Sequence, residues 1–255
     1  MSSRKRSVVA WVAAAVLAIA GASFAYLFWF AGGSGEPSTE LTTPELAATT
    51  STSLPTETTD EASPSTTGDT VVGSGSLTFV IDPSQSTARF ELDEVLNGSP
   101  KHVIGTTDQV AGQVRVDTAN LSSAEFSDIV VNARTLTTDS ERRDRAIRGP
   151  IVLDSASDAN ELITFTVTAV DGLEGAAQIG DTIGFSITGD LTVKGVTQEV
   201  TFDATVTFVD PGTIQGSATA EIAREAFGIG IPSVPSVADV TDEVLIGIEF
   251  VALAD

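Results

Sequence analysis

The chain has 255 residues, 42% of them hydrophobic, and carries a formal net charge of −22 at pH 7. This length allows one large or two small domains, and so negative a chain would repel nucleic acid and the surface of anionic membranes. Because the sequence contains no Cys, disulfides, thiolate metal sites and cysteine nucleophiles are excluded, and its one His leaves little support for histidine-based metal sites or catalysis.

The N-terminus combines a basic start with a long apolar run. Three basic residues at positions 4 to 6 precede Val8–Ala31, 24 residues without a charged side chain, which is enough to cross a hydrocarbon core of about 30 Å as a helix. We therefore expect a cytoplasmic tail (1–7), a transmembrane signal-anchor helix (8–31) and an extracytoplasmic remainder, in a bacterial plasma membrane. A cleavable signal peptide ending at Ala20-Gly21-Ala22 is the alternative, although such peptides have shorter apolar cores of roughly 7–15 residues.

Residues 32–75 differ completely from the anchor in composition. The segment is rich in Thr, Ser, Pro and acidic residues and has no aromatic side chain. It cannot bury enough apolar area to offset the entropy of ordering the chain. The sequence thus predicts a disordered, acidic stalk, of a composition that is often O-glycosylated.

The remaining residues, 76–255, alternate between apolar and polar positions in nine segments, which predicts half-buried antiparallel strands. A twisted sheet of this size curls into a barrel or splits into a sandwich. The predicted fold is therefore all-β, with strands at 77–81, 87–94, 109–117, 127–133, 162–171, 182–193, 196–208, 213–223 and 243–253.

One helix is predicted at Asp139–Arg148. Thr138 and Glu141 form a capping-box pattern, and Gly149-Pro150 is a stop signal. The helix is rich in arginine, so it is either an ordinary solvated helix or, at Arg142 and Arg143, a site for an anionic lipid head group.

The stretch Gly184–Phe208 predicts a long hairpin whose turn is Lys194-Gly195, with the glycine supplying a positive φ. The size of the apolar residues on this and neighbouring strands carries a second signal. The middle of 213–223 has only small residues on its apolar side, which indicates either tapered packing or a channel for an apolar ligand. The candidate interior residues are Phe165, Val167, Phe185, Ile187, Val200, Phe202, Ala218, Ala220, Ile246 and Ile248.

Catalysis finds little support in the sequence. His102 is expected in a polar loop, and no GxSxG motif accompanies it. The acidic cluster between Asp154 and Glu161 lacks the glycine and the glutamate spacing of a calcium loop. We expect a protein that is not an enzyme and that has neither a metal site nor a cofactor.

Four motifs in chain order are recognisable in residues 76–255: FVID with STARF (79–82 and 86–90), Thr138 with Arg143-Asp144, GDLTVKGVT (189–197) and REAFGI (224–229). Together they resemble the YceI-like family of polyisoprenoid-binding, lipocalin-like periplasmic proteins. The resemblance covers residues 76–255 and departs from the family at the loop 101–108 and at Val114, where many members have an aromatic residue.

The resemblance implies an extended antiparallel β-barrel of about eight strands that holds an isoprenoid lipid or a quinone for carriage, storage or sequestration. It also favours the channel over tapered packing, and it makes Phe227–Val237 either an apolar loop near one opening or an ordinary loop pinned to the core. Two alternatives are open: a ligand-free surface interaction or structural module, and an enzyme acting on an isoprenoid, for which Arg143, Asp144, Glu225 and His102 are the polar candidates.

Overall fold

A computed structural model describes residues 41–46 and 75–255 of the chain. The predicted anchor and most of the predicted stalk lie outside these ranges. Within them, the structure contains no helix with the length and apolar character that a membrane span requires.

Residues 77–254 form one antiparallel sheet of thirteen strand segments, with a single α-helix and several short 3₁₀ turns. The strands are β1 (Leu77–Ile81), β2 (Thr87–Leu96), β3 (Ser99–Thr107), β4 (Val110–Ala111), β5 (Gln113–Val116), β6 (Glu125–Phe126), β7 (Ile129–Asn132), β8 (Leu162–Asp171), β9 (Thr182–Val193), β10 (Val196–Asp210), β11 (Thr213–Ala223), β12 (Val237–Ala238) and β13 (Glu243–Ala254), and the helix is α1 (Glu141–Arg148).

The sheet curls into a barrel-like form. Its pairing order is β4-β7-β8-β9-β10-β11-β13-β1-β5-β6, and the hairpin β2–β3 joins through β13. Only Gly112 separates β4 from β5, and two residues separate β6 from β7. The two ends of the pairing order therefore lie on consecutive segments of chain, and the sheet wraps around one interior.

The predicted strands are largely confirmed, and four have the predicted bounds: β1, β8, β9 and β11. The expected number of about eight is lower than the number of segments, because a break at Gly112 divides one predicted strand and because β3, β6 and β12 were not predicted. The prediction that His102 lies in a loop is wrong. It lies on β3, which was not predicted because apolar and polar residues do not alternate along it. β3 forms by pairing with β2 across the turn Asn97-Gly98.

The helix α1 begins two residues later than predicted, and the capping box does not form. Ser140 is the N-cap and its side chain makes no capping bond. Thr138 instead donates from its backbone N–H and its hydroxyl to the carboxylate of Asp144, at 2.8 and 2.6 Å. Because Asp144 is buried, these bonds tie the start of the helix to the interior.

The central hairpin β9–β10 has the predicted turn and the predicted faces. Lys194 and Gly195 both have positive φ, 51° and 73°, as a two-residue hairpin turn of this kind requires. The apolar face is buried or half-buried. On the outer face, cross-strand threonine hydroxyls bond in pairs such as Thr188 with Thr201 at 2.8 Å, an arrangement that stabilises neighbouring strands.

The interior contains two apolar clusters. One cluster, around Phe79, Val110 and Ile214, fills one end of the curled sheet, which we call the closed end; these three residues are at most 2% exposed. The other cluster, which includes Ile147 of α1 and Phe227, lies at the other end, which we call the open end. The strands run through both clusters, and a cavity lies between them.

Candidate functional site

A cavity of about 1150 Å³ occupies the interior of the curled sheet. Its floor includes Phe79 and Ala252 of the closed end, and its opening lies between α1, the end of β2 and the loop Ile229–Val237. Binding pockets for small ligands usually measure roughly 300–1,000 Å³. This cavity is therefore large enough for a ligand longer than most metabolites, and nearly all its wall is apolar.

The structure brings together seven of the ten interior residues expected from the sequence. They come from five strands whose inward positions alternate with outward ones, as period-two geometry requires. The seven that line the cavity are Phe165, Phe185, Ile187, Phe202, Ala218, Ile246 and Ile248.

The other three, Val167, Val200 and Ala220, do not line it. All three pack in the apolar cluster of the open end, where Val200 and Ala220 are at most 8% exposed. They point inward as their parity predicts and pack against other side chains of that cluster. Sequence parity identifies the inner face without identifying which inward residues reach an open space.

The small residues of β11 have two different roles. Gly216 lies opposite Phe250 on β13, and a Cβ at Gly216 would overlap the Phe250 ring. Ala218, one step further along the same face, lines the cavity. The absence of a side chain at Gly216 is therefore explained by tapered packing, and the small side chain at Ala218 is explained by an open channel.

The same ring-over-glycine packing recurs in the cavity wall. The Phe90 ring lies over Gly105 on the neighbouring strand, and the Phe165 ring covers Gly189. Phe165 also meets Phe202 edge to face, with ring centroids 4.9 Å apart. These contacts fix the rings against the wall, and the cavity remains open between them.

The opening is bounded by three elements, which we call the rim: α1, the loop Ile229–Val237 and the end of β2. Backbone bonds hold the loop at both ends. Gly230 N–H donates to the Ile151 carbonyl at 3.1 Å, and Asn97 N–H donates to the Ser236 carbonyl at 2.8 Å. The sequence offered two interpretations of Phe227–Val237. Phe227 is 1% exposed and pins the start of the segment to the core, whereas residues 229–237 lie at the opening.

A buried ion pair joins α1 to β2 across the rim. Glu94 is 8% exposed and accepts a 2.7 Å bond from Arg143, which also bonds to Asp139. Burial by itself would lower the pKa of Arg143, but its bonds to Glu94 and Asp139 raise it overall. The pKa of Asp139 is lowered by its bond from Lys101 and, to a smaller extent, by its bond from Arg143. Arg143 is thus held by carboxylates of the protein itself.

Sequence analysis overlooked Glu94. It shares the inward parity of β2 with Ala88, Phe90 and Leu92, all of which line the cavity with it. An acidic residue on an otherwise apolar face was the available signal, because a buried charge requires a partner. That partner, Arg143, is 49 residues away in the sequence.

The other arginine proposed for an anionic head group, Arg142, lies on the exposed side of α1 and lines the opening. Arg145, one turn further on, also lines it and has a 3.9 Å contact with Glu141. The structure therefore places Arg142 and Arg143 at the same rim, with Arg143 in an internal ion pair.

His102 lies away from the cavity, on the outer face of the β2–β3 hairpin. Its ring nitrogens are 2.8 Å from Asp93 and 3.2 Å from Glu91. Its bonds to Asp93 and then Glu91 raise the pKa of His102 above the ordinary value of 6.5. In the described ranges, no three His, Asp or Glu side chains are grouped so that they could hold a metal ion.

Residues 79–252 match the YceI-like domain family. The chain belongs to this family. Among solved structures, BcnA of Burkholderia cenocepacia is 22% identical (TM-score 0.51), with 67% of this chain and 98% of that one covered. A polyisoprenoid-binding domain from Saccharophagus degradans, implicated in plant cell wall breakdown, is 14% identical (TM-score 0.54; 70% and 99% covered). No curated protein matches the chain.

The YceI-like motifs of the sequence meet mainly at the open end. Lys194, in the turn of the third motif, donates from its ammonium to the carbonyls of Pro150 and Ile151, at 2.8 and 3.1 Å. Arg224, in the fourth, donates to the Thr241 and Ile229 carbonyls at 3.1 and 2.9 Å. The third and fourth motifs thus hold the rim in place around the opening.

Proposed function

We propose that this protein is a binding protein, not an enzyme, that holds an isoprenoid lipid or quinone in its cavity for carriage, storage or sequestration. The observation that carries the proposal is the mainly apolar cavity of about 1150 Å³ with charged side chains at its opening. Each methylene moved from water into such a cavity contributes about 0.8 kcal/mol. A long hydrocarbon chain therefore gains much more than a small polar ligand. One structural neighbour is a polyisoprenoid-binding domain, which supports the same ligand class.

The polar groups of the rim favour a head group that remains at the opening. Glu94, Asp139 and Arg143 already satisfy one another. They therefore hold the rim in shape without requiring a charged ligand. The cavity below them is lined by side chains such as Phe202 and Ile246 and suits the hydrocarbon tail.

We further propose that the protein acts outside the cytoplasm, tethered to the bacterial plasma membrane by Val8–Ala31 and separated from it by the stalk of residues 32–75. The support for this is the length and apolar character of the first segment and the composition of the second. A tethered carrier would exchange its lipid with the membrane to which it is attached.

Mass spectrometry of organic extracts from the purified full chain tests the lipid. We expect an isoprenoid lipid to be recovered with the protein. Ala218→Trp supplies the comparison, because Ala218 lines the cavity and an indole there would fill the channel. We expect this variant to retain its fold and to lose most of the bound lipid.

Ala220→Trp is the matched control. Ala220 is two residues away on the same strand but is packed in the core, so overpacking should cost about 1–3 kcal/mol of stability. Thermal unfolding separates the two variants. Repeated recovery of wild-type protein without lipid would contradict the proposal and would favour a ligand-free interaction module.

A further inference from the structure

Two exposed apolar side chains adjoin each other beside the opening. Ile151 is 38% exposed and Ile231 is 37% exposed. The bond from Gly230 N–H to the Ile151 carbonyl places the two residues next to each other. Single exposed apolar residues are common, but this pair lies where the cavity meets solvent.

Cationic side chains flank this pair. Lys194 is held by the carbonyls of Pro150 and Ile151, which are neutral groups, so its charge is retained at this surface. Arg142 and Arg145 line the opening from α1. We call Arg142, Arg145, Ile151, Lys194 and Ile231 the docking face.

Several acidic groups of α1 and β2 near the docking face are engaged in ion pairs. Asp139 is bonded to Lys101, at 2.7 Å, and to Arg143, and Glu94 is bonded to Arg143. Glu141 reaches Arg145 only at 3.9 Å, in a solvent-exposed pair, where ion pairs contribute little. The docking face therefore combines three cationic side chains with two exposed apolar ones, on a domain that is otherwise strongly acidic.

Basic residues around exposed apolar side chains are the combination that binds anionic bilayers, because the apolar groups enter the interface and the cations attract lipid head groups. We propose that the docking face seats the open end of the cavity on an anionic lipid bilayer. Lipid then passes between membrane and cavity without crossing water. This inference rests on the proposed function for its purpose but is tested independently of it.

The geometry also resolves an apparent conflict. The net charge of −22 argues against adsorption to anionic membranes. Because the Debye length is about 8 Å at physiological ionic strength, however, a surface senses mainly the charges nearest to it. With the docking face toward the bilayer, acidic residues at the opposite end are screened.

Single cysteines provide the test, because the chain has none of its own. Ile231→Cys places a nitrobenzoxadiazole label on the docking face. Ile179→Cys places the same label at a 61% exposed position next to Gly180, which bonds to Phe208 of the closed end. Each labelled full chain is mixed with vesicles of phosphatidylcholine, with or without phosphatidylglycerol, that carry a doxyl-lipid quencher.

We expect the label at position 231 to shift to the blue and to be quenched in phosphatidylglycerol vesicles, and the label at 179 to change little. Arg142→Gln and Arg145→Gln should each weaken docking about five-fold at low salt. Equal quenching at both positions, or quenching that ignores phosphatidylglycerol, would overturn the proposal. So would a blue shift without vesicles that grows with protein concentration, which would indicate a second copy of the chain.

The failures of the two proposals can be told apart. Quenching at position 231 in a protein that carries no lipid would support docking and contradict the lipid-holding function. Lipid recovered from a protein whose position 231 is never quenched would support that function and contradict docking. Adding Ala218→Trp to the labelled protein should leave the quenching unchanged, because Ala218 lies on β11 in the cavity wall and the docking face surrounds the opening.

Discussion

The two ends of the curled sheet consist of the same strands but differ in how their interiors are packed and covered. At the closed end, inward residues of opposite strands meet directly, and Phe79, Val110, Ile214 and Ala252 are at most 2% exposed. At the open end, a helix and a loop cover the strands and leave an opening. The comparison indicates that the closed end provides stability, whereas the open end gives up some packing to keep the interior accessible.

The largest expected effect comes from deleting one ring at each end. Phe79→Ala removes a fully buried ring and should lower the free energy of unfolding by about 3–5 kcal/mol. Phe202→Ala should cost roughly half as much, because that ring is only partly buried in the folded protein. Urea denaturation measures both. Equal losses would mean that the two ends are packed alike.

An intermediate effect is expected for the ion pair that joins α1 to β2. Glu94→Gln leaves the Arg143 guanidinium with one carboxylate instead of two, and a bond to a charged group contributes about 1.5–3 kcal/mol. Glu141→Gln, at an exposed pair on the same helix, is the control and should change stability by less than about 0.5 kcal/mol.

Hydrogen exchange of the α1 amides would locate the change caused by Glu94→Gln. We expect faster exchange in α1 and unchanged exchange at the closed end. A uniform increase throughout the sheet would show that the pair stabilises the whole domain and would remove the distinction between the ends.

The smallest expected effect concerns His102, on the outer face near the rim. Its pKa is raised in the folded protein by Asp93 and Glu91. The protonated ring therefore stabilises the fold fully below about pH 6.5, its unfolded value, and this contribution is lost as the pH rises through the raised pKa. As the only histidine in the chain, it gives an unambiguous NMR titration.

His102→Gln should remove this pH dependence without affecting lipid recovery. The difference in unfolding midpoint between wild type and variant should be larger at pH 5.5 than at pH 9. A titration at or below the ordinary value would show that the contacts with Asp93 and Glu91 do not persist in solution.

Much of the fold could be predicted from local patterns. The strands β8, β9 and β11 have the predicted bounds because alternation repeats over ten or more residues and turn residues mark their ends. The hairpin turn at Lys194-Gly195 could be predicted because positive φ favours glycine. β3 could not, since its strand conformation depends on pairing with β2.

The candidate site could be predicted only in part. Which residues face inward follows from parity, and seven of the ten expected residues line the cavity. Whether an inward residue reaches open space depends on the side chains opposite it, as Gly216 under the Phe250 ring and Ala218 at the cavity wall illustrate. Glu94 was missed for a related reason, because its partner comes from a distant segment.

By itself, the sequence determined the all-β class, the inward face of each long strand and membership of the YceI-like family, because these depend on period-two alternation and on local motifs. Only the tertiary structure decided where the interior is filled and where it is open, and which charges surround the opening. Those properties arise from contacts between segments far apart in the chain, such as Arg143 with Glu94, which no local pattern contains.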